Sequence, residues 1–355
     1  MTPEYNKVHN KFKLNEKYYN FNELKAFAYS LVKIENPFEQ EIGEFLLCWL
    51  DGNDAIEVKT SGSTGIPKTI TINKQSMVNS AIATGTFFNL KPSSKALLCL
   101  PASYIAGKMM LVRAIVLGLE LDCIEPKTNL VLNKSKHYHF SAMVPMQLNA
   151  NIENLKNIDI VIVGGAKVSN NLISKIKGIS TSVFETYGMT ETVSHIAIKH
   201  LNKLPSKLEG NYFKTLPNVS ISQDKNECLI INAPLLSKET VMTNDVVKIH
   251  SKTTFEWLGR QDNVINSGGI KIFPEQIENQ LHDKIAYRFF IASEKDGILG
   301  ERIILVVEGE KNSLDNSIFK SLNRYSIPKK IYYLPMFIET NSNKINRGET
   351  LKLLS

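Results

Sequence analysis

Apolar and polar positions follow two alternating patterns from about residue 56 to residue 187. Strand-like runs are AIEVKT, KALLCLP, LELDCIEP, FSAMVP, IDIVIVGG and TSVFETYG. Helix-like stretches such as NKQSMVNSAIATGTFF and GKMMLVRAIVLG separate them. Apolar strands that alternate with helices predict a parallel sheet covered on both faces. Ligands of such sheets bind beyond the carboxyl ends of the strands. We therefore expect the segments KTSGSTGIPK, GGAK and YGMTE to converge on one rim.

The pattern changes after residue 200. The runs VSISQDKNECLIINAP and VVKIHSKTTFEWLG predict antiparallel hairpins with polar turns. A break at GRQDNVINSGGIKIFPEQIE precedes a short helix, the strands RFFIASEK, ERIILVVEGE and KKIYYLPMFIE, and a helix near SIFKSLNR. The predicted fold class is α/β. A large N-terminal domain over residues 1–259 has a mostly parallel sheet plus antiparallel β hairpins, and a small mobile α+β C-terminal domain covers residues 260–355.

Composition and charge narrow the class of protein. The 355 residues are 43% hydrophobic and 22% charged, as in ordinary globular proteins. The net charge of +7 favours anionic ligands, but the lysines are spread along the chain, so we expect no nucleic-acid partner. The four cysteines form no C-x-x-C pair, which argues against a zinc site or a disulfide framework.

Targeting and membrane segments are not expected. The N-terminus has no apolar signal core. The most apolar stretch begins at Met109, is interrupted by Arg113 and is too short to cross a bilayer. These features predict a reduced, soluble, cytoplasmic protein without a membrane span.

Residues 59–70, KTSGSTGIPKTI, combine glycines, hydroxyls and lysines in the way expected of a phosphate-binding loop. The P-loop template, G-x-x-x-x-G-K-[ST], fits from Gly62 except that Pro67 replaces the glycine before Lys68. Proline has no N–H to donate and cannot adopt a positive φ, so the nest of amides that cradles phosphate cannot form there. The P-loop interpretation therefore fails.

Six motifs in a fixed order carry a different resemblance. TSGSTGIPK is followed by GGAK, YGMTE, TND, GRQDNVINSGGIKIFPEQIE and TNSNKINR. In this order the chain, over roughly residues 56–347, resembles the acyl-adenylate-forming superfamily, which includes acyl-CoA synthetases, luciferases and peptide-synthetase adenylation domains. The resemblance implies a carboxylic acid, ATP and Mg²⁺ as reactants and cofactor, with coenzyme A as co-substrate.

The resemblance also implies an ATP site. The hydroxyl-rich loop would handle the β- and γ-phosphates through Ser61, Gly62, Ser63, Thr64, Gly65 and Lys68. Tyr187, followed by Gly188 and Met189, would stack on adenine. Thr190 would contact the α-phosphate and Glu191 would hold Mg²⁺, a cation that prefers oxygen ligands. The floor beside adenine would be Gly164, Gly165 and Ala166, and the ribose partners would be Asp245 and Arg260. Asn244 replaces a usual glycine, which we expect to sit at positive φ.

The C-terminal domain resembles the moving part of these enzymes. Asp262 matches the hinge about which the domain rotates between adenylation and thioester formation. Lys344 matches the catalytic lysine that reaches the α-phosphate and the carboxylate, with Asn343 in place of a usual glycine. Gly268 and Gly269 resemble the loop that lines the pantetheine tunnel after rotation, although an ordinary glycine turn before a strand is the alternative.

The choice of acid rests on two stretches, LPASYIAGKMMLVRAIVLG and YGMTETVSHIAI. They look most like the o-succinylbenzoate–CoA ligases of menaquinone biosynthesis. Tyr104 replaces the histidine that gates the acyl pocket in the family. Lys108 and Arg113 are candidates for binding the second carboxylate of this acid, unless they are solvent-facing helix charges. His195 lines the same pocket or belongs to the core.

The length of the N-terminal region and two alternative functions complete the predictions from the sequence. Only about 55 residues precede the phosphate loop, fewer than in common members of the superfamily, so we expect a compact enzyme. The alternatives are a CoA ligase for another aryl or short fatty acid, and a non-catalytic nucleotide-binding remnant of the fold.

Overall fold

The structure is a computed structural model that describes residues 2–59, 69–203, 211–310, 314–340 and 345–354. The strands within these ranges form sheets of thirteen, five and two strands. No helix in the described ranges is long and apolar enough to cross a membrane.

The N-terminal segment forms one edge of the thirteen-stranded sheet and a pair of helices. Its elements are β1 (Lys13–Leu14), β2 (Lys17–Tyr18), α1 (Phe21–Leu31) and α2 (Pro37–Trp49). Helix α1 begins with a capping box, in which the side chain of Asn20 accepts from the N–H of Glu23 and the carboxylate of Glu23 accepts from the N–H of Asn20. Helix α2 begins after Asn36, whose side chain accepts from the first free backbone N–H groups.

The phosphate-like loop does not follow a strand of the parallel sheet. Strand β3 (Ala55–Lys59) pairs antiparallel with β4 (Thr69–Asn73) in a separate two-stranded sheet. The expectation that AIEVKT belongs to the parallel sheet is therefore wrong. The reason is visible in its burial, because Ile56 and Val58 are buried and Glu57 is exposed. This alternation is typical of a half-buried antiparallel strand rather than of a strand covered on both faces.

The parallel centre of the sheet agrees with the predicted alternation. Its helices and strands, in chain order, are α3 (Lys74–Phe88), β5 (Lys95–Leu98), α4 (Ile105–Leu117), β6 (Glu120–Cys123), β7 (Tyr138–Met143), α5 (Pro145–Ala150), β8 (Ile158–Val163), α6 (Asn170–Lys175) and β9 (Ser182–Gly188). The strands lie in the order β9-β8-β7-β5-β6-β1 and all five pairings are parallel.

Helix α4 is covered on nearly every side, so the polar residue Arg113 on this helix is buried. All residues from Met109 to Val116 are buried, so the helix is apolar around its whole circumference, as expected of a core helix. It packs against α3 and the strands β5 and β6. The helix ends at Gly118, whose left-handed φ of +70° is the conformation that glycine adopts most readily.

The predicted hairpins extend the same sheet beyond β9. Their strands are β10 (His195–His200), β11 (Phe213–Thr215), β12 (Ser220–Gln223), β13 (Cys228–Asn232), β14 (Val241–Ser251) and β15 (Thr254–Arg260). Strands β12 and β13 pair antiparallel, as do β14 and β15. Both hairpin predictions are confirmed, and together with the parallel centre they confirm the α/β fold class.

The strands after residue 260 form a sheet of their own. The elements are β16 (Ile265–Ser267), β17 (Ile270–Ile272), α7 (Pro274–Leu281), β18 (Phe289–Asp296), β19 (Gly300–Glu308), β20 (Lys330–Leu334) and α8 (Arg347–Leu351). The helix predicted near SIFKSLNR consists of two short 3₁₀ helices, Asn316–Ser321 and Arg324–Ser326. This sheet meets the preceding part through contacts such as the 2.6 Å ion pair of Lys271 and Glu227.

Candidate active site

Two predicted loops meet at the carboxyl ends of neighbouring parallel strands. The first contains Gly164 and Gly165 and follows β8, and the second follows β9. A Cβ at Gly164 would lie 2.5 Å from the hydroxyl oxygen of Thr186, so any side chain there would displace the Thr186 hydroxyl. Gly165 adopts a φ of +82°, which favours glycine. Ala166 follows them at the exposed edge of the loop.

Tyr187, Asp245 and Arg260 are brought together on this rim. The hydroxyl of Tyr187 donates a 2.7 Å hydrogen bond to the carboxylate of Asp245, and the guanidinium of Arg260 lies 3.5 Å from the same carboxylate. Burial raises the pKa of Tyr187, and the adjacent charge of Asp245 raises it further. The phenol therefore stays neutral and acts as a donor. The three residues that the resemblance assigns to adenine and ribose thus form one connected group, and these roles stay predictions.

The YGMTE motif continues into a tight turn. Gly188 is required here because a Cβ would lie 2.4 Å from the carbonyl oxygen of Ser194. Met189 is followed by a 3₁₀ turn over Thr190–Thr192, in which the hydroxyl of Thr192 donates to the carbonyl of Met189 at 3.0 Å. This turn fixes the path of the backbone on which Thr190 and Glu191 are presented.

Glu191 has the properties needed for a magnesium ligand that shares its ion with a nucleotide. Its carboxylate is exposed and forms no salt bridge within the described part of the chain. No group of three or more potential metal-binding side chains occurs among the described residues. Mg²⁺ commonly uses only one or two carboxylates together with substrate phosphates and water. A single exposed carboxylate next to Thr190 fits that pattern.

Asn244 does not replace a positive-φ glycine. It lies inside strand β14 and is not among the residues with positive φ, so that expectation is wrong. Its side-chain amide instead donates a hydrogen bond to the carboxylate of Asp262. Asp262 lies in the 3₁₀ turn Gln261–Asn263 directly after β15. The strand that carries Asp245 is therefore tied to the predicted hinge.

Gly268 and Gly269 form the turn between β16 and β17. Their φ values are +57° and +80°, and Ser267 pairs with Ile270 across the turn. Two successive positive-φ residues define the two-residue hairpin turn that favours glycine. The geometry of this turn by itself explains why both positions are glycine. Their role in the pantetheine tunnel stays a prediction.

Several predicted site residues lie outside the described ranges. They are Ser61, Gly62, Ser63, Thr64, Gly65, Lys68, Asn343 and Lys344.

The structure separates the two cations proposed for the acid. The ammonium of Lys108 donates to the carbonyl oxygens of Ala102 and Ser103 at 2.6 and 2.7 Å and lies 5.6 Å from the ring centre of Phe45 on α2. Arg113 points to α3 and β10 instead. The two candidates therefore have different surroundings, because a spacing of five residues places them on different sides of a helix.

Tyr104 is the N-cap of helix α4 and is 63% exposed, without a side-chain capping bond. It lies at the surface end of the helix whose interior contains Arg113. Its proposed role as a gate stays a prediction.

Arg113 is buried and has no anionic partner among the described residues. It is 2% exposed, so the alternative of a solvent-facing charge is wrong. Its guanidinium lies 3.3 Å from the hydroxyl of Thr84, 3.4 Å from Nδ1 of His195 and 3.8 Å from the sulfur of Met110. Burial lowers the pKa of Arg113 to about 10, so the group is still charged at neutral pH. A buried cation with only neutral neighbours in the described structure fits an anionic ligand.

His195 is both buried and part of a cavity wall. It is 7% exposed and lines a cavity of about 180 Å³ together with Ser80. The hydroxyls of Ser80 and Ser194 are 2.7 Å apart. The rest of the wall is formed by Thr2 of the N-terminal segment, further residues of α3 and the largely apolar stretches 216–219 and 235–236.

Sequence reasoning missed Ser80 and Thr84, which lie close to Arg113 and His195. Both are buried on α3, and both contact the group formed by Arg113, His195 and Ser194. Their signal in the sequence is the spacing of four residues, which places two small polar side chains on the same face of the helix as the apolar Met77, Ala81 and Phe88. Such a pair on a buried helix face indicates a polar site in the core.

The fold and the rim define an α/β protein with a nucleotide-type site at the carboxyl ends of its parallel strands. The family model for AMP-binding enzymes matches residues 51–227. An acyl-CoA synthetase (AMP-forming)/AMP-acid ligase II-like protein from Dyadobacter fermentans is 37% identical, with 93% of this chain and 98% of that chain covered and a TM-score of 0.62. The chain belongs to the AMP-binding, AMP-forming enzyme family.

Two further relatives carry a more specific name. The 2-succinylbenzoate–CoA ligase of Haemophilus influenzae is 27% identical over 316 residues, covering 82% of this chain and 68% of the relative. The o-succinylbenzoate–CoA synthetase of Bacillus subtilis, solved with its acyl-adenylate intermediate, has the same fold, with a TM-score of 0.70 at 20% identity and coverage of 82% of this chain and 68% of that chain.

Proposed function

We propose that the chain is an ATP-dependent acid–CoA ligase that converts o-succinylbenzoate, ATP and coenzyme A to o-succinylbenzoyl-CoA, AMP and pyrophosphate through an acyl-AMP intermediate. The observation that carries the choice of acid is the buried guanidinium of Arg113, which contacts only neutral groups among the described residues. The names of the curated relatives support the same choice. The reaction would belong to menaquinone biosynthesis.

In the first half-reaction, a carboxylate oxygen of the acid attacks the α-phosphorus of ATP and the bond to pyrophosphate breaks. Negative charge develops on both sides of the breaking bond and must be neutralised. We assign this to Lys344 and Thr190 at the α-phosphate and to Lys68 with the loop hydroxyls at the leaving pyrophosphate. Mg²⁺ bound by Glu191 and the phosphates would supply further positive charge. Tyr187, Asp245 and Arg260 hold the nucleoside.

In the second half-reaction, the thiol of coenzyme A loses its proton and its sulfur attacks the acyl carbonyl carbon. The bond between this carbon and the phosphate oxygen of AMP breaks, so the thioester and AMP are the products. We assign the change between the two half-reactions to a rotation of the C-terminal domain, residues 260–355, at Asp262. Gly268 and Gly269 would then leave room for the thin pantetheine arm.

Selection of the acid follows from the cost of a buried charge. o-Succinylbenzoate keeps one carboxylate after the other is activated, and this group can neutralise Arg113. A monocarboxylate would leave the guanidinium buried and unpaired, and removing one partner of a buried ion pair costs about 3–5 kcal/mol. The site therefore selects for a diacid partly by penalising acids that lack the second charge.

We place the reaction in the cytoplasm, where ATP, Mg²⁺ and coenzyme A are available. All four cysteines have free thiols, as expected in a reducing compartment. We expect a small-molecule acid, ATP and coenzyme A as ligands, and neither a nucleic acid nor a membrane as partner.

The experiment is a pyrophosphate-release assay with ATP and Mg²⁺ on a panel of acids, followed by mass spectrometry of the CoA products. The panel contains o-succinylbenzoate, benzoate and hexanoate. We expect o-succinylbenzoyl-CoA as the dominant product. If benzoate or hexanoate were turned over preferentially, the assigned substrate would be wrong but the assigned CoA-ligase activity would stand. If no acid led to pyrophosphate release, the chain would be a non-catalytic remnant of the fold.

A further inference from the structure

His195 borders both the buried cation and a cavity. Its Nδ1 is 3.4 Å from a terminal nitrogen of Arg113, and His195 is among the residues that line the cavity of about 180 Å³. Arg113 is not among the residues that line this cavity. In the described structure, a molecule inside the cavity therefore meets His195 before it meets the guanidinium.

The contact with Arg113 determines which nitrogen of His195 has the proton. Burial, together with the nearby charge of Arg113, lowers the pKa of His195 well below its ordinary value, so the ring is neutral at physiological pH. A guanidinium has only donors. Nδ1 must therefore accept the hydrogen bond, and in a neutral imidazole the proton then resides on Nε2.

This proton has no acceptor among the described residues. Nε2 of His195 is buried and has no hydrogen-bond partner in that part of the chain. Leaving a buried donor unsatisfied is costly, and most such groups in proteins have a partner. Because the two nitrogens of an imidazole point in widely different directions, the Nε2–H faces away from Arg113. The wall beside it is polar, since Ser80 lines the same cavity.

We infer that the Nε2–H of His195 donates a hydrogen bond to the second carboxylate of the acid, and that Arg113 acts through His195 as a positioning residue. Arg113 fixes the tautomer by donating to Nδ1 and places a positive charge behind the ring. The donor that recognises the second carboxylate is thus a neutral imidazole polarised by a buried cation. This inference rests on the proposed function, because it assigns an atom to the carboxylate that the proposed substrate retains.

The test compares two acids that differ only in the second carboxylate, o-succinylbenzoate and 4-oxo-4-phenylbutanoate, in ATP–pyrophosphate exchange. His195→Leu removes the donor, whereas His195→Gln places an amide N–H near the position of Nε2. The matched control is His200→Leu. His200 is on the same strand, is stacked on Phe184 at 4.2 Å, also has a buried Nε2 without a partner among the described residues and does not line the cavity.

We expect His195→Leu to raise the KM for o-succinylbenzoate roughly 10- to 100-fold, the range for a lost hydrogen bond to a charged group. The KM for 4-oxo-4-phenylbutanoate should stay within about 3-fold, and His195→Gln should restore most of the loss. His200→Leu should keep the wild-type preference between the two acids. An unchanged preference in His195→Leu, or an equal loss for both acids, would overturn the assignment.

A spectroscopic measurement checks the positioning role of Arg113. The ¹⁵N shifts of the imidazole, assigned by comparison with His195→Gln, should show the Nε2–H tautomer in wild type and a mixture of tautomers in Arg113→Leu. The same tautomer in both proteins would contradict this role. If the wild-type enzyme does not prefer the diacid, the proposed function fails. If it does and His195→Leu keeps the preference, only the assignment of His195 fails.

Discussion

The hydroxyl of Tyr187 donates a 2.7 Å hydrogen bond to the carboxylate of Asp245. The two residues are 58 positions apart in sequence, near the end of β9 and on β14. The bond fixes the tilt of the Tyr187 ring, which also lies edge-on to Phe255 with ring centres 5.2 Å apart. A ring held on two sides is a preorganised surface for a planar base.

Tyr187→Phe should keep this surface and lose only the hydrogen bond to Asp245. We expect the affinity for ATP to fall about 10-fold, in line with a hydrogen bond to a charged acceptor. Tyr187→Ala should bind ATP still more weakly than Tyr187→Phe, because the aromatic surface is also lost. Titration calorimetry with ATP measures both. Equal affinities of the two variants would contradict a stacking role for the ring.

The second prediction concerns Asp262, which accepts a hydrogen bond from Asn244 and matches the predicted hinge of the C-terminal domain. Asp262→Pro should fix φ near −65° and hinder the rotation between half-reactions. We expect adenylation, measured by pyrophosphate exchange, to be retained and thioester formation to fall.

The matched control for Asp262→Pro is Asp262→Ala, which removes the carboxylate but leaves φ free. This variant should lose the bond to Asn244 and still form thioester. A loss of both half-reactions in Asp262→Pro, or of neither, would remove the case for a hinge at this residue.

The third prediction concerns Lys344, whose assignment rests on the motif TNSNKINR. Lys344→Ala should slow formation of the acyl-adenylate by roughly 10²-fold or more, because a charge directed at the transition state is lost. Conversion of preformed acyl-AMP to thioester should survive, since the rotated domain no longer uses this lysine. The two rates are measured separately by single-turnover kinetics, and a parallel loss of both rates would show that the assigned role is wrong.

The comparison of sequence and structure shows which signals were sufficient. The parallel strands from β5 to β9 were predicted because each lies in a strand-like run between helix-like stretches, and GGAK and YGMTE meet because their strands are neighbours. Strand β3 was misplaced because five residues of alternating burial resemble a short buried strand when read alone. A one-dimensional pattern does not state which strand pairs with which.

The roles of the polar residues in the site were harder to predict from the sequence. The residue types at Asn244 and Lys108 suggested a backbone role and a ligand role, respectively. The structure instead pairs Asn244 with Asp262 and occupies Lys108 with two carbonyl oxygens. Partners that are remote in sequence decide such roles. By contrast, the burial of Arg113 could have been expected, because its helix is apolar around its whole circumference.

The fourth prediction concerns the fully buried Lys74, whose ammonium lies 2.6 Å from the carboxylate of Asp51. Asp51 precedes β3 and Lys74 follows β4, so the pair joins the two ends of this hairpin. Asp51→Ala leaves a buried ammonium without a counter-ion and should cost about 3 kcal/mol.

Lys74→Met is the counterpart of this change, because it replaces the buried charge by an apolar chain of similar length. It should cost less than Asp51→Ala, since the partly exposed Asp51 can regain water. Urea unfolding of both variants and of the double variant measures the difference and the coupling energy. An equal or reversed order of stability would contradict the asymmetry.

The central claim is that Arg113, which is buried and has no anionic partner in the described ranges, makes the enzyme select a diacid. The most direct measurement is the ratio of kcat/KM for o-succinylbenzoate to kcat/KM for 4-oxo-4-phenylbutanoate in wild type and in Arg113→Leu. We predict a strong wild-type preference for the diacid that falls by roughly 100-fold in the variant, because the buried positive charge that offsets the second carboxylate is lost. Most of this change should appear in the KM for the diacid, with ATP binding intact. Equal use of the two acids by wild type, or an unchanged ratio in Arg113→Leu, would contradict the account.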